Sequence, residues 1–197
     1  MHCLVEHKKV IIVGIPGVGK STVVTKVVEI LKEKNKTVSM KSFGTVMLEQ
    51  ANKNGIHDRD ELRKAPVEIQ QKLQTLAAKS IGQMNDDVVI IDTHAFISTK
   101  EGFYPGLPKN VLEQIHPTNF IAISARPEEI YNRRMEDKTR SRDIISIESI
   151  KKELAVQDAM LSSCSVFTGA PMKVILNSEG KIEEAAKSVI HAIGLWN

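Results

Sequence analysis

The sequence predicts an α/β protein with a five-stranded parallel sheet and helices on both faces. Two observations lead to this prediction. Short runs of apolar, often β-branched residues alternate along the whole chain with longer segments in which apolar residues recur at helical spacing. A glycine-rich loop joins the first of those runs to the first helical segment. This alternation is typical of parallel sheets, because each crossover places a helix on one face.

The first strand and helix flank the glycine-rich loop. Residues 8–13 predict a buried strand and residues 22–34 a helix. Between them, GIPGVGKST matches the G-x-x-x-x-G-K-[ST] pattern of phosphate-binding loops. Glycines let backbone N–H groups face phosphate oxygens, and the helix N-terminus adds partial positive charge. We therefore expect this loop to bind a nucleoside triphosphate through Gly14, Ile15, Pro16, Gly17, Val18, Gly19, Lys20, Ser21 and Thr22.

The next segments predict a strand followed by several helices. Residues 36–43 predict the second strand, and residues 44–54 look helical. Asp58 is typical of a helix N-cap because Glu61 follows three residues later, and Pro66 suits the first turn of another helix. One face of that last helix is apolar and predicts a packing surface, formed by Ile69, Leu73, Leu76, Ala77, Ile81 and Met84.

The remaining chain predicts three more strands within a single domain over residues 1–197. Residues 87–92 are apolar on both faces and predict an interior strand. Residues 93–107 predict a long loop, and Pro108 opens a short helix ending near Ile115. The fourth and fifth strands are expected at 119–124 and 172–177. Helices are expected at 127–137, 146–166 and 181–195, with a charged loop over 138–145.

Composition favours an ordinary globular domain and argues against several other classes of protein. The chain has 197 residues, of which 42% are hydrophobic and 26% charged, with a formal net charge of +3. Because that charge is small, nucleic acid is not expected as a partner. No signal peptide or membrane span is recognisable, so we expect no membrane contact and a cytoplasmic location. Cys3 and Cys164 are too few for a disulfide framework or a metal cluster.

Polar residues follow the predicted strands at the edge where parallel sheets bind ligands. Gly14, Gly44, Asp92 and Ser124 all fall at carboxyl ends of strands. Asp92 is placed like the acid that holds Mg²⁺ opposite Ser21; the alternative is an aspartate that caps the next turn. His94 either contacts a substrate phosphate or ribose, or only orients the loop. The sequence leaves those two roles open.

Arginines form a second group of candidate residues. Arg133, Arg134, Arg140 and Arg142 lie within ten residues, after the fourth strand. Phosphoryl transfer needs positive charge around the phosphates while water is excluded, and arginines on a short loop that folds down supply both. The alternative is a solvated, charged surface. In the helical segment after the second strand, Arg63 is a candidate clamp for a second substrate's phosphate, or else an exposed helix arginine.

In all these residues together, the chain resembles the adenylate kinases, and among them the archaeal, short-lid type. The loop by itself is unspecific. The segments that point to this type are Gly-Thr-Val-Met at 44–47, Asp-Thr-His at 92–94 and Pro-Gly-Leu-Pro at 105–108. Further similar segments follow in order over most of the chain, at residues 13–22, 58–63, 88–94, 102–108, 133–134 and 139–143.

The resemblance implies the P-loop nucleoside monophosphate kinase fold and reversible phosphoryl transfer from MgATP to AMP, giving two ADP. It implies an AMP-binding helical insertion at about 44–85 and a short lid at about 138–146. Carried over by position, Thr45 contacts AMP, with Arg63 and His94 as the other candidate AMP contacts. Lys20 and the arginines at 134, 140 and 142 surround the transferring phosphates, and Ser21 and Asp92 hold Mg²⁺. Members of the archaeal type form homotrimers, so a homotrimer is expected.

The sequence also departs from the bacterial and eukaryotic pattern. Glu49 stands where an arginine usually follows Met-Leu, so Arg63 serves only as a substitute for it. A second arginine is missing near Phe96. The contacts to the AMP phosphate are therefore the least defined part of the expected site.

Other functions stay open at this point. A kinase of the same fold would use another acceptor, such as CMP, UMP or a small metabolite, because the fold does not fix the acceptor. A nucleotide-switch NTPase usually carries an Asn-Lys-x-Asp motif for the base, which this sequence lacks. A nucleic-acid-linked ATPase shares the loop, but the modest net charge argues against it.

Overall fold

A computed structural model describes residues 7–136 and 146–196 and confirms the α/β architecture. Its strands are β1 (Lys8–Val13), β2 (Val38–Ser42), β3 (Val88–Asp92), β4 (Phe96–Thr99), β5 (Gly102–Pro105), β6 (Asn119–Ser124) and β7 (Met172–Leu176). Five of them form a parallel sheet in the order β2-β3-β1-β6-β7. The interior place of β3, between β2 and β1, is the one expected from its apolar sequence.

Helices connect the strands, and several begin at the signals seen in the sequence. They are α1 (Lys20–Glu33), α2 (Phe43–Asn52), α3 (Arg59–Lys64), α4 (Val67–Gly82), α5 (Lys109–Ile115), α6 (Pro127–Glu136), α7 (Ile147–Thr168) and α8 (Ile182–Ala192). Asp58 caps α3, since its Oδ1 accepts the Glu61 N–H at 2.7 Å. None of the helices in the described ranges is long and apolar enough to span a membrane.

Alternate residues of the strands pack into two separate apolar layers. Val10 and Ile12 of β1 point to the layer formed with α1 and α8. Ile11 and Val13 point the other way, toward α2, α4 and α5. Both faces of the sheet are therefore covered, which explains why the interior strands carry polar residues only at their ends.

The segment 93–107, predicted as a loop, contains an antiparallel hairpin instead. β4 pairs with β5 from Phe96–Pro105 to Thr99–Gly102. The rings of Phe96 and Phe103 stack edge to face, with centroids 5.0 Å apart. The prediction was wrong because Gly102, Pro105 and Gly106, which are typical of loops, were given more weight than the residues between them. The short aromatic and β-branched runs on either side of the turn were the signal for the hairpin.

The apolar face of α4 is also narrower than predicted. Leu73, Ala77 and Ile81 are buried as expected, whereas Ile69 and Leu76 are 38% and 36% exposed. The helix packs between α2 and α5. That packing also buries Ala78. The buried face of α4 is therefore rotated around the helix axis relative to the face predicted from its large apolar side chains.

The outer part of α2, α3 and α4 has a small apolar cluster of its own. Ala51, Leu62 and Leu73 form it, apart from the two layers that cover the sheet. The residues of the expected helical insertion are thus arranged around two cores, one shared with the sheet and one local.

Asp87 joins the amino ends of β2 and β3. Its carboxylate accepts hydrogen bonds from the N–H and the hydroxyl of Thr37, at 2.8 and 2.9 Å. These bonds favour the charged form and hold the pKa of Asp87 below its ordinary value of 3.8. Because the pKa is lower in the folded state, the group stabilises the fold above its ordinary pKa. That contribution is lost as the pH falls through the folded pKa.

We expect Asp87→Asn to lower the unfolding temperature at about pH 7, and the difference from the unchanged protein to shrink as the pH approaches about 3. Circular dichroism melts over that pH range measure it. Asp86→Asn is the matched control, because the two bonds from Thr37 go to Asp87. A difference that stays constant with pH contradicts the linkage.

Candidate active site

The glycine-rich loop joins β1 to α1 at the carboxyl edge of the sheet. Gly17 and Gly19 have φ angles of 90° and 79°, a region that favours glycine. A Cβ on Gly17 would lie 3.0 Å from Cγ of Arg134, and one on Gly19 would lie 2.5 Å from Nδ2 of Asn177. Glycine therefore lets the loop both adopt its turn and lie directly against the side chains behind it.

The start of α1 is suited to an anion. The helix begins at Lys20, none of the described side chains caps it, and its first turn holds no acidic residue. The free N–H groups of a helix start carry partial positive charge and bind phosphate well. The loop and the helix start therefore present their donors to one region of space.

A concavity of about 460 Å³ opens beside the loop. That volume is within the range of small-molecule sites. It brings together most of the predicted phosphate-loop residues, both predicted metal ligands and His94; its lining residues are Gly14, Ile15, Pro16, Gly17, Gly19, Lys20, Ser21, Thr22, Asp92, His94 and Arg133. Val18, the remaining predicted loop residue, is fully buried. A second concavity adjoins the first, shares Ser21 and Thr22, and extends to Lys26 and Ile182.

Lys20 and Asp92 form an ion pair on the wall of the larger concavity. Lys20 Nζ also donates to the carbonyl of Thr93 at 2.8 Å. The two side chains are 11% and 17% exposed. Because the pair is only partly exposed, water screens it little; the Lys20 ammonium lies next to the loop, with its charge balanced by Asp92.

The predicted metal ligands fit Mg²⁺ in chemistry and in place. Ser21 and Asp92 offer a hydroxyl and a carboxylate to the same concavity. Within residues 7–136 and 146–196, no group of three or more His, Cys, Asp and Glu side chains is arranged to hold a metal. Mg²⁺ commonly takes one or two protein oxygens and completes its shell with phosphates and water, so this donor set suits it.

The carboxyl ends of β1, β2 and β3 lie in register beside the concavity. Asp92 of β3 lies opposite Ile12 of β1 on one side and opposite Ser42 of β2 on the other. The glycine-rich loop follows β1, and α2 follows β2 directly. Asp92 therefore lies between the loop and the first turn of α2, which carries Thr45.

The three residues predicted to contact AMP lie in different parts of the structure. Thr45 is exposed in the first turn of α2, and its Oγ1 accepts a hydrogen bond from Arg59 Nη2 at 3.2 Å. His94 lies on the wall of the concavity. Arg63 lies in α3, and its side chain is not among the described ones. The sequence places Arg59 in segment 58–63 of the expected second-substrate site but assigns it no role of its own; its place beside the Asp58 cap, one turn before Arg63, was the available signal.

The arginine group is divided by the structure. Arg133 lines the concavity. Arg134 lies behind the loop, where Nε donates to the Pro16 carbonyl at 2.7 Å and Nη2 forms an ion pair with Glu153 at 2.7 Å. Its predicted catalytic role stays a prediction. Arg140 and Arg142 lie outside the described residues.

Asn177 is a residue of the site that sequence reasoning missed. It follows β7 and is 3% exposed, and its Nδ2 donates to the Val18 carbonyl at 2.8 Å. The one available signal was its position at a strand end, the edge where the other site residues lie.

Comparisons with known proteins give a family and a fold. A family model described as an AAA domain matches residues 13–151. The chain is 36% identical over 187 residues to the adenylate kinase of Methanococcus aeolicus, covering 94% of this chain and 97% of that protein. It is 42% identical over 186 residues to the adenylate kinase of Thermoplasma acidophilum, covering 94% and 98%. The shikimate kinase from Acinetobacter baumannii in complex with shikimate has a TM-score of 0.59 at 15% identity, covering 94% and 92%, a likeness of fold alone.

Proposed function

The chain belongs to the adenylate kinase family, with an AAA domain at residues 13–151, and we propose that it transfers a phosphoryl group reversibly from ATP to AMP. The observation that carries the proposal is the level alignment of three strand ends. It places Asp92 between a phosphate loop and a second polar site on α2 and α3. A donor and an acceptor nucleotide can therefore meet over one edge of the sheet.

The donor side is the glycine-rich loop. Its backbone and the start of α1 would hold the phosphates of ATP, and Lys20 would contact the terminal ones. Ser21 and Asp92 would hold Mg²⁺, which supplies charge neutralisation at the phosphates when bound. The larger concavity is lined by all of these residues.

The acceptor side is the helical insertion at about 44–85. Thr45, Arg63 and His94 would contact AMP, and Arg59 supports this assignment because it lies against Thr45. An oxygen of the AMP phosphate attacks the γ-phosphorus of ATP while the bond to the β–γ bridging oxygen breaks, leaving two ADP. The developing negative charge is stabilised by Lys20 and neighbouring arginines.

The short lid at about 138–146 would close over the phosphates. Arg134, the third arginine predicted for the catalytic group, lies behind the loop, so Arg140 and Arg142 are the residues proposed as phosphate ligands of the lid. The support is their resemblance to the family pattern and the place of α6, which ends just before this segment and carries Arg133 to the wall of the concavity.

A cytoplasmic location and a homotrimer are proposed as well. The support for self-association is apolar surface near the end of α7 and on the edge strand β7. Val166 is 86% exposed, Phe167 49%, Val174 45% and Leu176 52%. Exposed apolar patches of this kind are typical of protein contacts.

The test of the activity is to mix the pure protein with ATP, AMP and Mg²⁺ and to measure ADP. We expect two ADP for each ATP consumed, and loss of activity when AMP is omitted or Mg²⁺ is removed by a chelator. CMP, UMP and small hydroxyl metabolites replace AMP in parallel reactions. Faster transfer to one of these would assign the acceptor differently, and hydrolysis without any acceptor would favour a nucleotide switch.

A further inference from the structure

Three consecutive carbonyl groups of the phosphate loop accept hydrogen bonds from side chains outside it. Arg134 Nε donates to Pro16 at 2.7 Å, Arg133 Nη1 to Gly17 at 3.4 Å and Asn177 Nδ2 to Val18 at 2.8 Å. We call Arg133, Arg134 and Asn177 the carbonyl brace.

Other elements of the fold hold the brace in turn. The side chain of Arg134 is 4% exposed, and its guanidinium reaches both carboxylate oxygens of Glu153 on α7, at 3.4 and 2.7 Å. The N–H of Asn177 donates to the Ser124 carbonyl at 2.7 Å, and its own carbonyl accepts from Arg133 at 3.3 Å. The loop is thus connected to α6, α7 and the strand ends of β6 and β7.

The buried side-chain amide of Asn177 lowers the stability of the fold. Its Oδ1 is buried and has no hydrogen-bond partner among the described residues. A buried, half-satisfied amide destabilises a fold, so its presence in a native structure calls for an explanation. The contact that the amide does make is the one to Val18.

The direction of these carbonyls determines where the loop donors point. In a planar trans peptide the N–H of the next residue points opposite to the carbonyl. The carbonyls of Pro16 and Val18 point toward the carbonyl brace. The N–H groups of Gly17 and Gly19 therefore point to the other side of the loop. Hydrogen bonds to the carbonyls also polarise these peptides and strengthen their N–H groups as donors.

We propose that Asn177 and Arg134 are positioning residues, which act through the loop peptides and preorganise them for the triphosphate. The assignment rests on the proposed donor role of the loop. It gives Arg134 a role behind the loop, in place of direct contact with the transferring phosphate.

The test compares Asn177→Ala with Asn119→Ala by calorimetric binding of MgATP and of AMP. Asn119 is the matched control, because it is also a buried asparagine whose amide donates to a carbonyl, that of Ala192, at the opposite edge of the sheet. We expect Asn177→Ala to weaken MgATP about tenfold, the size of one lost hydrogen bond, with AMP binding unchanged. Asn119→Ala should bind both nucleotides as the unchanged protein does.

Two results would overturn the proposal: MgATP affinity unchanged in a folded Asn177→Ala, or equal losses in both asparagine variants. These binding measurements need no turnover. If the unchanged protein had no kinase activity, that result would contradict the proposed function but not the positioning role of Asn177 and Arg134.

Glu153→Gln provides an independent variant if Asn177→Ala does not fold. It keeps an acceptor for Arg134 but removes the charge that holds the guanidinium behind the loop. If the carbonyl brace positions the loop, Glu153→Gln should bind MgATP about threefold more weakly and should bind AMP as the unchanged protein does. If Arg134 were a phosphate ligand, releasing it would leave MgATP binding equal or tighter, and that outcome contradicts the proposal.

Discussion

Lys20→Met is expected to lower the turnover of ATP and AMP by at least ~100-fold, the scale of losing one transition-state charge contact. The ammonium group of Lys20 lies at the junction of the loop, Asp92 and the Thr93 carbonyl. Methionine keeps most of the length of the side chain and removes the charge. The loop N–H groups remain, so MgATP should still bind, and most of the loss should appear in kcat.

Lys26→Met is the matched control. It removes a lysine from the same helix, where Lys26 forms an exposed ion pair with Glu29 at 3.2 Å. Surface pairs of this kind contribute little to stability, so turnover should stay normal. Melting temperatures of both variants separate a catalytic loss from the effect of leaving Asp92 without its ion partner. Normal turnover in a folded Lys20→Met would show that the loop is not catalytic.

A bisubstrate analogue, two adenosines joined by a polyphosphate chain, is expected to bind ~100-fold more tightly than ATP or AMP alone. The level ends of β1, β3 and β2 place the phosphate loop, Asp92 and Thr45 in one row. A ligand that fills both nucleotide sites makes its second contact intramolecularly. Calorimetry with Mg²⁺ present measures the three affinities.

Arg59→Ala identifies which side of the site supplies the extra affinity. Arg59 donates to Thr45 in the proposed acceptor site, far from the loop in sequence. The variant should bind ATP normally and lose part of the analogue's advantage. Equal affinities of the unchanged protein for the analogue and for ATP would rule out paired sites, and a nucleotide switch would then explain the loop better.

Much of the fold could be predicted because the information is local. Four of the five sheet strands are short, mainly apolar runs, and the loop motif between residues 8–13 and the first helix predicts both its neighbours. The hairpin at β4 and β5 was missed, since its four-residue strands are held by the Phe96–Phe103 contact rather than by a long pattern. Ile69 and Leu76 were placed on the packing surface because helical spacing does not show where neighbouring helices end.

The residue types of the candidate site could be predicted from the sequence, whereas the directions in which the side chains point were less predictable. Ser21, Asp92 and Lys20 share the concavity because strand ends meet at one edge of a parallel sheet. Arg133 and Arg134 are adjacent in sequence, yet one faces the concavity and the other lies behind the loop. Their directions depend on how α6 sits against α7 and Glu153, which no local pattern contains.

The small cluster of Ala51, Leu62 and Leu73 has a consequence for local unfolding. A segment held by few buried contacts opens at a lower free energy than the sheet, as a cooperative unit that exchanges its amide protons early. The phosphate loop accepts hydrogen bonds from two side chains of α6 and from Asn177 after β7, and we expect it to belong to the late-exchanging part. We therefore expect the proposed acceptor half of the cleft to open and admit a nucleotide while the proposed donor half keeps its geometry.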